Sequence, residues 1–234
     1  MVEIVSIHQP SYFPWLGLLH KIKKSTKFIL MDEVQLSDSA FQHRNVFLTR
    51  DGKEKKLTVN ISKKSYKDKF IKDLEISNRN WRTDHVNFIK ENYRNTPFFH
   101  EVMPILDEFY SIDSFKLIDV LERSMRISMD LMNIKTEVVK MSELNYDRSK
   151  RKGQLVLSLV QNSGVRTYLS GKGAEEYLNV KEFSDCGFEV FFQEFKHPQY
   201  YQCNSKDFVP GLSCLDLLFN NGIELSRSIL NEIE

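Results

Sequence analysis

The stretch IVSIHQPSYFPWLGLLHKIKKSTKFILMDEVQ, close to the N-terminus, constrains the fold more than any other. Val2 to Ile7 has the apolar alternation of a short buried strand, and KFILM, from Lys27 to Met31, reads as a second. Between them Trp15, Leu18, Leu19 and Ile22 recur at helical spacing. Strand, loop, helix, strand is the order of a βαβ unit, whose parallel strands open a ligand crevice outside their carboxyl ends. The residues at those ends therefore carry the functional expectation. His8, Gln9, Tyr12 and Trp15 follow the first strand; Asp32, Glu33 and Gln35 follow the second. If the strands are neighbours, His8 and Asp32 face one crevice.

Pro10 and Pro14 stiffen the loop, and Pro14 suits the first turn of a helix, where its missing N–H would have had no partner. Gly17 costs a helix about 1 kcal/mol against alanine, so either tight packing or the close approach of a strand or ligand explains it. His20 lies on the same helix and is a weaker candidate than His8.

A chain of 234 residues with 41% hydrophobic and 12% aromatic content has the means to build a substantial core, which excludes a disordered segment. Lysine plus arginine number 33 and aspartate plus glutamate 32, so a net charge of +1 gives no reason to expect nucleic acid or an anionic membrane surface. Three cysteines without CxxC spacing fit a reducing compartment and argue against a disulfide framework or a zinc ribbon. With neither a signal-like N-terminus nor an apolar run long enough to span a bilayer, a cytoplasmic protein is expected.

Residues 37–77 read as a β-hairpin insertion that turns at Asp51-Gly52, with FIKDLEIS as a third candidate strand and Arg44 and Asn45 as an anion-recognising pair at its start. Residues 80–134 read as three helices forming an insertion or cap that covers the sheet or the site. The βα rhythm then returns: TEVVKMSEL is a strand, KRKGQLVLSLVQNSG a helix, VRTYLSG a strand, GAEEYL the opening of a helix, and GFEVFFQEF a strand. Ser170, Gly171, Lys172 and Gly173 fall where backbone N–H groups at a strand end hold an anion, or where the chain simply turns. In the last segment Tyr200 and Gln202 suit a ring or sugar. Asp216 and Asn220, one turn apart, suit a buried polar anchor, and Asn221-Gly222 a helix stop. The expected whole is one α/β domain over residues 1–234, a parallel Rossmann-like sheet carrying a β-hairpin insertion and a helical cap. No spacing makes a metal site.

HQPSYFPWLGLLHKI, the following DEVQ and HRN, the SGKGAEEYL segment and the LSCLDLLFNNG ending, in this order and spacing, resemble the WbqC-like protein family over nearly the whole chain. That resemblance implies bacterial surface-polysaccharide (O-antigen) biosynthesis and a nucleotide-linked amino sugar as ligand. The opening strand, Pro-containing loop, Gly- and His-bearing helix and acid-ended strand also resemble HUP-type nucleotidyltransferase domains. PWLGLLH lacks the His-x-Gly-His signature of that class, so this second likeness is one of fold. In that context the chemistry of the residues themselves leads to the expectation of an enzyme that transfers an acyl or aminoacyl group to the amine of the sugar. His8 would be the base and Asp32 its orienting acid. Gln9, Tyr12, Trp15, His20, Gln35, Arg44, Asn45, Ser170, Gly171, Lys172, Gly173, Tyr200, Gln202, Asp216 and Asn220 would bind substrate. The donor would be an acid activated by ATP, a thioester, or an acyl or aminoacyl carrier. A non-catalytic nucleotide-sugar-binding accessory protein is the alternative.

Overall fold

The computed structural model describes residues 2–37, 41–62 and 66–233. In chain order the elements are β1 (Ile4–His8), α1 (Leu16–Lys23), β2 (Lys27–Leu30), β3 (Arg44–Leu48), β4 (Glu54–Thr58), α2 (Trp81–Tyr93), α3 (Phe99–Tyr110), α4 (Leu117–Leu131), β5 (Glu137–Lys140), α5 (Lys152–Gln161), β6 (Thr167–Ser170), α6 (Val180–Asp185), β7 (Glu189–Phe192) and α7 (Cys214–Asn231). Apolar alternation decides which way the strands face. Val5, Ile7 and Ile29 join one core with Val156, Leu159 and Val160 of α5 and Phe183 of α6. Phe28 and Leu30 join the opposite core, with α1, α7 and the three helices α2 to α4. On that side Ser25, just past α1, donates its hydroxyl to Ser6 of β1 at 2.7 Å.

The five-stranded sheet has the order β5-β2-β1-β6-β7, every neighbouring pair parallel. The chain adds β2 and β5 on one side of β1, then crosses back to add β6 and β7 on the other. The order reverses between β1 and β6, which opens the crevice at their carboxyl ends. The expected parallel Rossmann-like sheet is therefore present. The hairpin is a separate two-stranded antiparallel sheet, β3 with β4, whose turn carries Gly52 at φ 79°.

Four expectations are corrected. FIKDLEIS forms no strand: Ile71–Asp73 is a 3-10 turn, and isolated bridges join Gln35 to Phe70 and Glu75 to Lys116. GAEEYL opens no helix; Lys172–Ala174 is a 3-10 turn and α6 begins only at Val180. Pro14 precedes the N-cap residue, Trp15, rather than standing in the first turn. Asn221-Gly222 bends α7 without ending it, since Gly222 alone leaves helical geometry and the helix resumes beyond. Gly17 is explained by packing: a Cβ there would lie 2.1 Å from the Trp15 indole, which folds back over it.

Candidate functional site

A cavity of about 680 Å³ occupies the crevice at the reversal point. Ile7, His8 and Gln9 from the end of β1 and Ser170, Gly171 and Gly173 from the end of β6 line it, with Met31 and Val34 beyond β2. Lys152, Leu155 and Val156 of α5 form the facing wall, and Tyr168 and Tyr177 close it. Gly153 lets the first turn of α5 come this close, because a Cβ there would meet the Tyr177 carbonyl at 3.2 Å. Among the described residues no acidic side chain lines the cavity.

His8 Nδ1 lies 2.8 Å from the Gln9 carbonyl oxygen. A carbonyl only accepts, so Nδ1 carries the proton and Nε2 keeps its lone pair. The ring is accessible to solvent inside the cavity yet enclosed by protein atoms. Desolvation, helped by the charge of Lys21, pushes its pKa down to about 4. At neutral pH the imidazole is uncharged.

Lys21 is the residue that sequence reasoning missed. It is 5% exposed, and its Nζ donates to the Ile7 carbonyl at 3.1 Å. The same nitrogen lies 3.9 Å from where a Cβ on Gly171 would stand, so it sits between the ends of β1 and β6. Burial pushes its pKa down to about 8, and no carboxylate pairs with it among the described residues. The signal was its position: Leu18, Lys21, Ile22 and Ser25 follow the spacing of the buried stripe of α1.

Asp32 does not join His8. Its two carboxylate oxygens accept the Ser142 N–H at 2.9 Å and the Ser142 hydroxyl at 2.6 Å, which ties the end of β2 to the turn after β5. Its neighbour Glu33 accepts from Lys72 at 2.6 Å, Tyr146 at 2.7 Å and Arg148 at 3.2 Å. Burial opposes the ionisation of Glu33, but those bonds and charges outweigh it and hold its pKa below the usual range. Gln35 donates to the Lys67 carbonyl, away from the cavity.

The loop after β1 serves mainly to be held. Gln42 donates to the Gln9 side chain, and the Tyr12 N–H bonds to the Gln42 carbonyl at 2.8 Å. Asn45 donates to the carbonyls of Tyr12 and Phe13 at 3.2 and 2.6 Å, and its own oxygen accepts from the Val46 N–H. Ser124 of α4 meets the Phe13 N–H, and the Ser213 hydroxyl donates to the Phe13 carbonyl at 3.0 Å. These contacts fix Phe13 at φ 38°, a conformation that a bulky residue rarely adopts. Tyr12 is fully buried, its hydroxyl between His85 and Tyr110. Trp15 packs edge-on against Phe195, and His20, buried, takes the Gln193 amide on Nδ1. Arg44 lies on the hairpin beside Phe41, outside the cavity wall.

The C-terminal candidates form a second polar cluster. Asp216, fully buried, accepts from the hydroxyls of Tyr93 and Tyr200 at 2.9 and 3.0 Å and from the Gln202 amide at 3.1 Å. Burial lifts its pKa to about 6 against these bonds. Asn220 accepts the Cys203 N–H and donates to the Asp216 carbonyl. This is the polar anchor expected of Asp216, and none of these side chains reaches the cavity. Of the SGKG stretch, Ser170, Gly171 and Gly173 line the cavity while Lys172 is exposed outside it.

Sheet order and crevice define a Rossmann-like α/β protein with a cavity at its strand-order reversal. The profile of the WbqC-like protein family matches residues 9–228, and the chain belongs to that family. It is similar to an uncharacterized protein of Mycobacterium tuberculosis, 25% identical over 221 residues that cover 94% of each chain. No solved structure is a significant match. Among the described residues no helix is long and apolar enough to cross a membrane.

Proposed function

We propose that the protein transfers an acyl or aminoacyl group to the amine of a nucleotide-linked amino sugar during assembly of a bacterial surface polysaccharide. The observation that carries this reading is the uncharged His8 ring, its Nδ1 held by the Gln9 carbonyl, in a cavity large enough for a sugar. Amide formation joins the amine nitrogen to the acyl carbon, breaks the bond from that carbon to its leaving group, and releases a proton from the nitrogen. His8 Nε2 accepts that proton and returns it to the leaving group. The donor is an acid activated by ATP, a thioester, or an acyl or aminoacyl carrier. In this reading Asp32 supports the fold around the cavity through Ser142 rather than orienting the base.

One observation favours a non-catalytic nucleotide-sugar-binding protein instead: the partner of His8 Nδ1 is a neutral carbonyl, so no carboxylate charge stabilises the protonated ring. Mass spectrometry of the purified protein with nucleotide amino sugars and each donor class separates the two. Transfer predicts a product heavier by one acyl or aminoacyl unit. His8→Ala then lowers turnover by roughly 100-fold or more. Asp32→Asn, whose oxygen still accepts the Ser142 N–H while its amide group donates to the Ser142 hydroxyl, leaves turnover within about threefold. Binding of the nucleotide sugar without product for any donor establishes the accessory reading. A fully active His8→Ala removes the base from the mechanism.

A further inference from the structure

Lys21 poses a question that the transfer chemistry leaves open. A buried ammonium is costly unless paired, and this one has a single carbonyl as partner while its remaining N–H groups are left for the cavity. Across the cavity stands the first turn of α5, a ten-residue helix whose N-terminus has no side-chain cap, so its free N–H groups are not taken up locally. Lys152, the first residue of that helix, lines the same space in a left-handed conformation with φ 51°. Two cations and a helix N-terminus border one volume that no acidic side chain lines among the described residues.

We infer that the Lys21 ammonium, the N-terminus of α5 and Lys152 together seat the diphosphate of a nucleotide, with the Gly171 to Gly173 turn along its flank. The inference rests on the transfer reading for its ligand class. A diphosphate is common to a nucleotide-linked sugar and to a coenzyme A thioester, so the chemistry of the seat is the same for acceptor and donor. An anion beside Lys21 supplies the counter-charge that the protein itself withholds, and the apolar wall of Leu155, Val156 and Met31 strengthens the attraction by excluding water.

Isothermal titration of the whole protein with inorganic pyrophosphate, with uridine diphosphate and with coenzyme A tests this. Lys21→Met weakens pyrophosphate by roughly 10- to 100-fold, the worth of a hydrogen bond to a charged group. Its melting temperature without ligand rises or stays level, because an unpaired buried charge has gone. A lysine that merely braced the Ile7 carbonyl predicts the opposite, a lower melting temperature with unchanged affinity. Should Lys21→Met not fold, Lys152→Asn serves, since asparagine tolerates the left-handed backbone and position 152 is exposed; it weakens pyrophosphate by roughly fivefold to tenfold. Tighter binding of uridine diphosphate than of coenzyme A places the acceptor on the seat, and the reverse places the donor there. Pyrophosphate affinity indifferent to both substitutions overturns the inference even if transfer is observed. Affinity that depends on Lys21 in a protein yielding no product upholds the seat and discards transfer.

Discussion

At the scale of single residues, Lys21 and His8 share one physical condition: each lies where its charged form is disfavoured, and each lacks an acidic partner. For Lys21 the folded pKa, about 8, lies below the ordinary 10.5, so between those values the unfolded chain binds more protons than the folded one. Stability therefore rises with pH through that window, and below pH 8 the buried charge costs about 3 kcal/mol. Ligand binding runs the other way. The groups facing Lys21 are His8 from β1, uncharged above about pH 4, Lys152 from α5, and Tyr168 and Tyr177, whose burial raises their pKa. Only Lys21 changes charge near pH 8 among those whose shifts are resolved. Pyrophosphate affinity is expected to fall about tenfold from pH 7 to pH 9 in the wild type relative to Lys21→Met, in which only the ligand's own ionisation acts, as calorimetry at the two pH values would read. His8 was legible because a histidine at the end of a first strand points to a crevice by position alone. Lys21 was not, because in HKIKK it reads as one cation of a solvated run; only its register with Leu18 and Ile22 marks it as buried. The Asp32 expectation assumed that neighbouring strands share one crevice. Asp32 instead turns toward Ser142 beside β5, on the side of β2 away from β1.

At the scale of elements, periodicity carried most of the reading. Strands of period two and helices of period 3.6 made β1, α1, β2, the Asp51-Gly52 hairpin, the three helices α2 to α4, and the return from β5 to β7 legible. FIKDLEIS alternates as a strand does, but bends through a 3-10 turn because its apolar residues pack beneath α4 instead of pairing in a ladder. Strand order was not legible, since it depends on which side of β1 the chain returns to. Gly222 shows how one residue can shape an element. Its φ of 74° favours glycine, and a Cβ would fall 2.6 Å from the Phe98 ring, so the bend in α7 is built around the ring's edge. Gly222→Ala is expected to destabilise the protein by about 2–4 kcal/mol, combining backbone strain with overpacking, and a urea titration measures it.

Over the whole molecule, the parts inserted between the strands hold the site without entering it. The hairpin reaches the loop after β1 through Gln42 and Asn45, the helices through Ser124, and the C-terminal segment through Ser213. Asn45→Ala would leave the Val46 N–H and the Tyr12 carbonyl without those buried bonds and weaken the hold on Phe13. Its expected cost is about 2–4 kcal/mol in chemical denaturation, far above that of a surface asparagine. The loop from Gln9 to Trp15 is thus chiefly a site of attachment, and two residues that line the cavity stand at its edges, His8 before it and Lys21 after it. Attachment across such distances also sets an order in time. β1 meets β2 soon after both are made, but its other neighbour, β6, begins at Thr167, and the hydroxyl that closes on Phe13 belongs to a residue 200 positions later. At ribosomal rates of about 5–20 residues per second, that interval lasts about 10–40 s. Until β6 is made one edge of β1 lies open and the cavity has only half its walls, so β1, made long before β6, completes its pairing late.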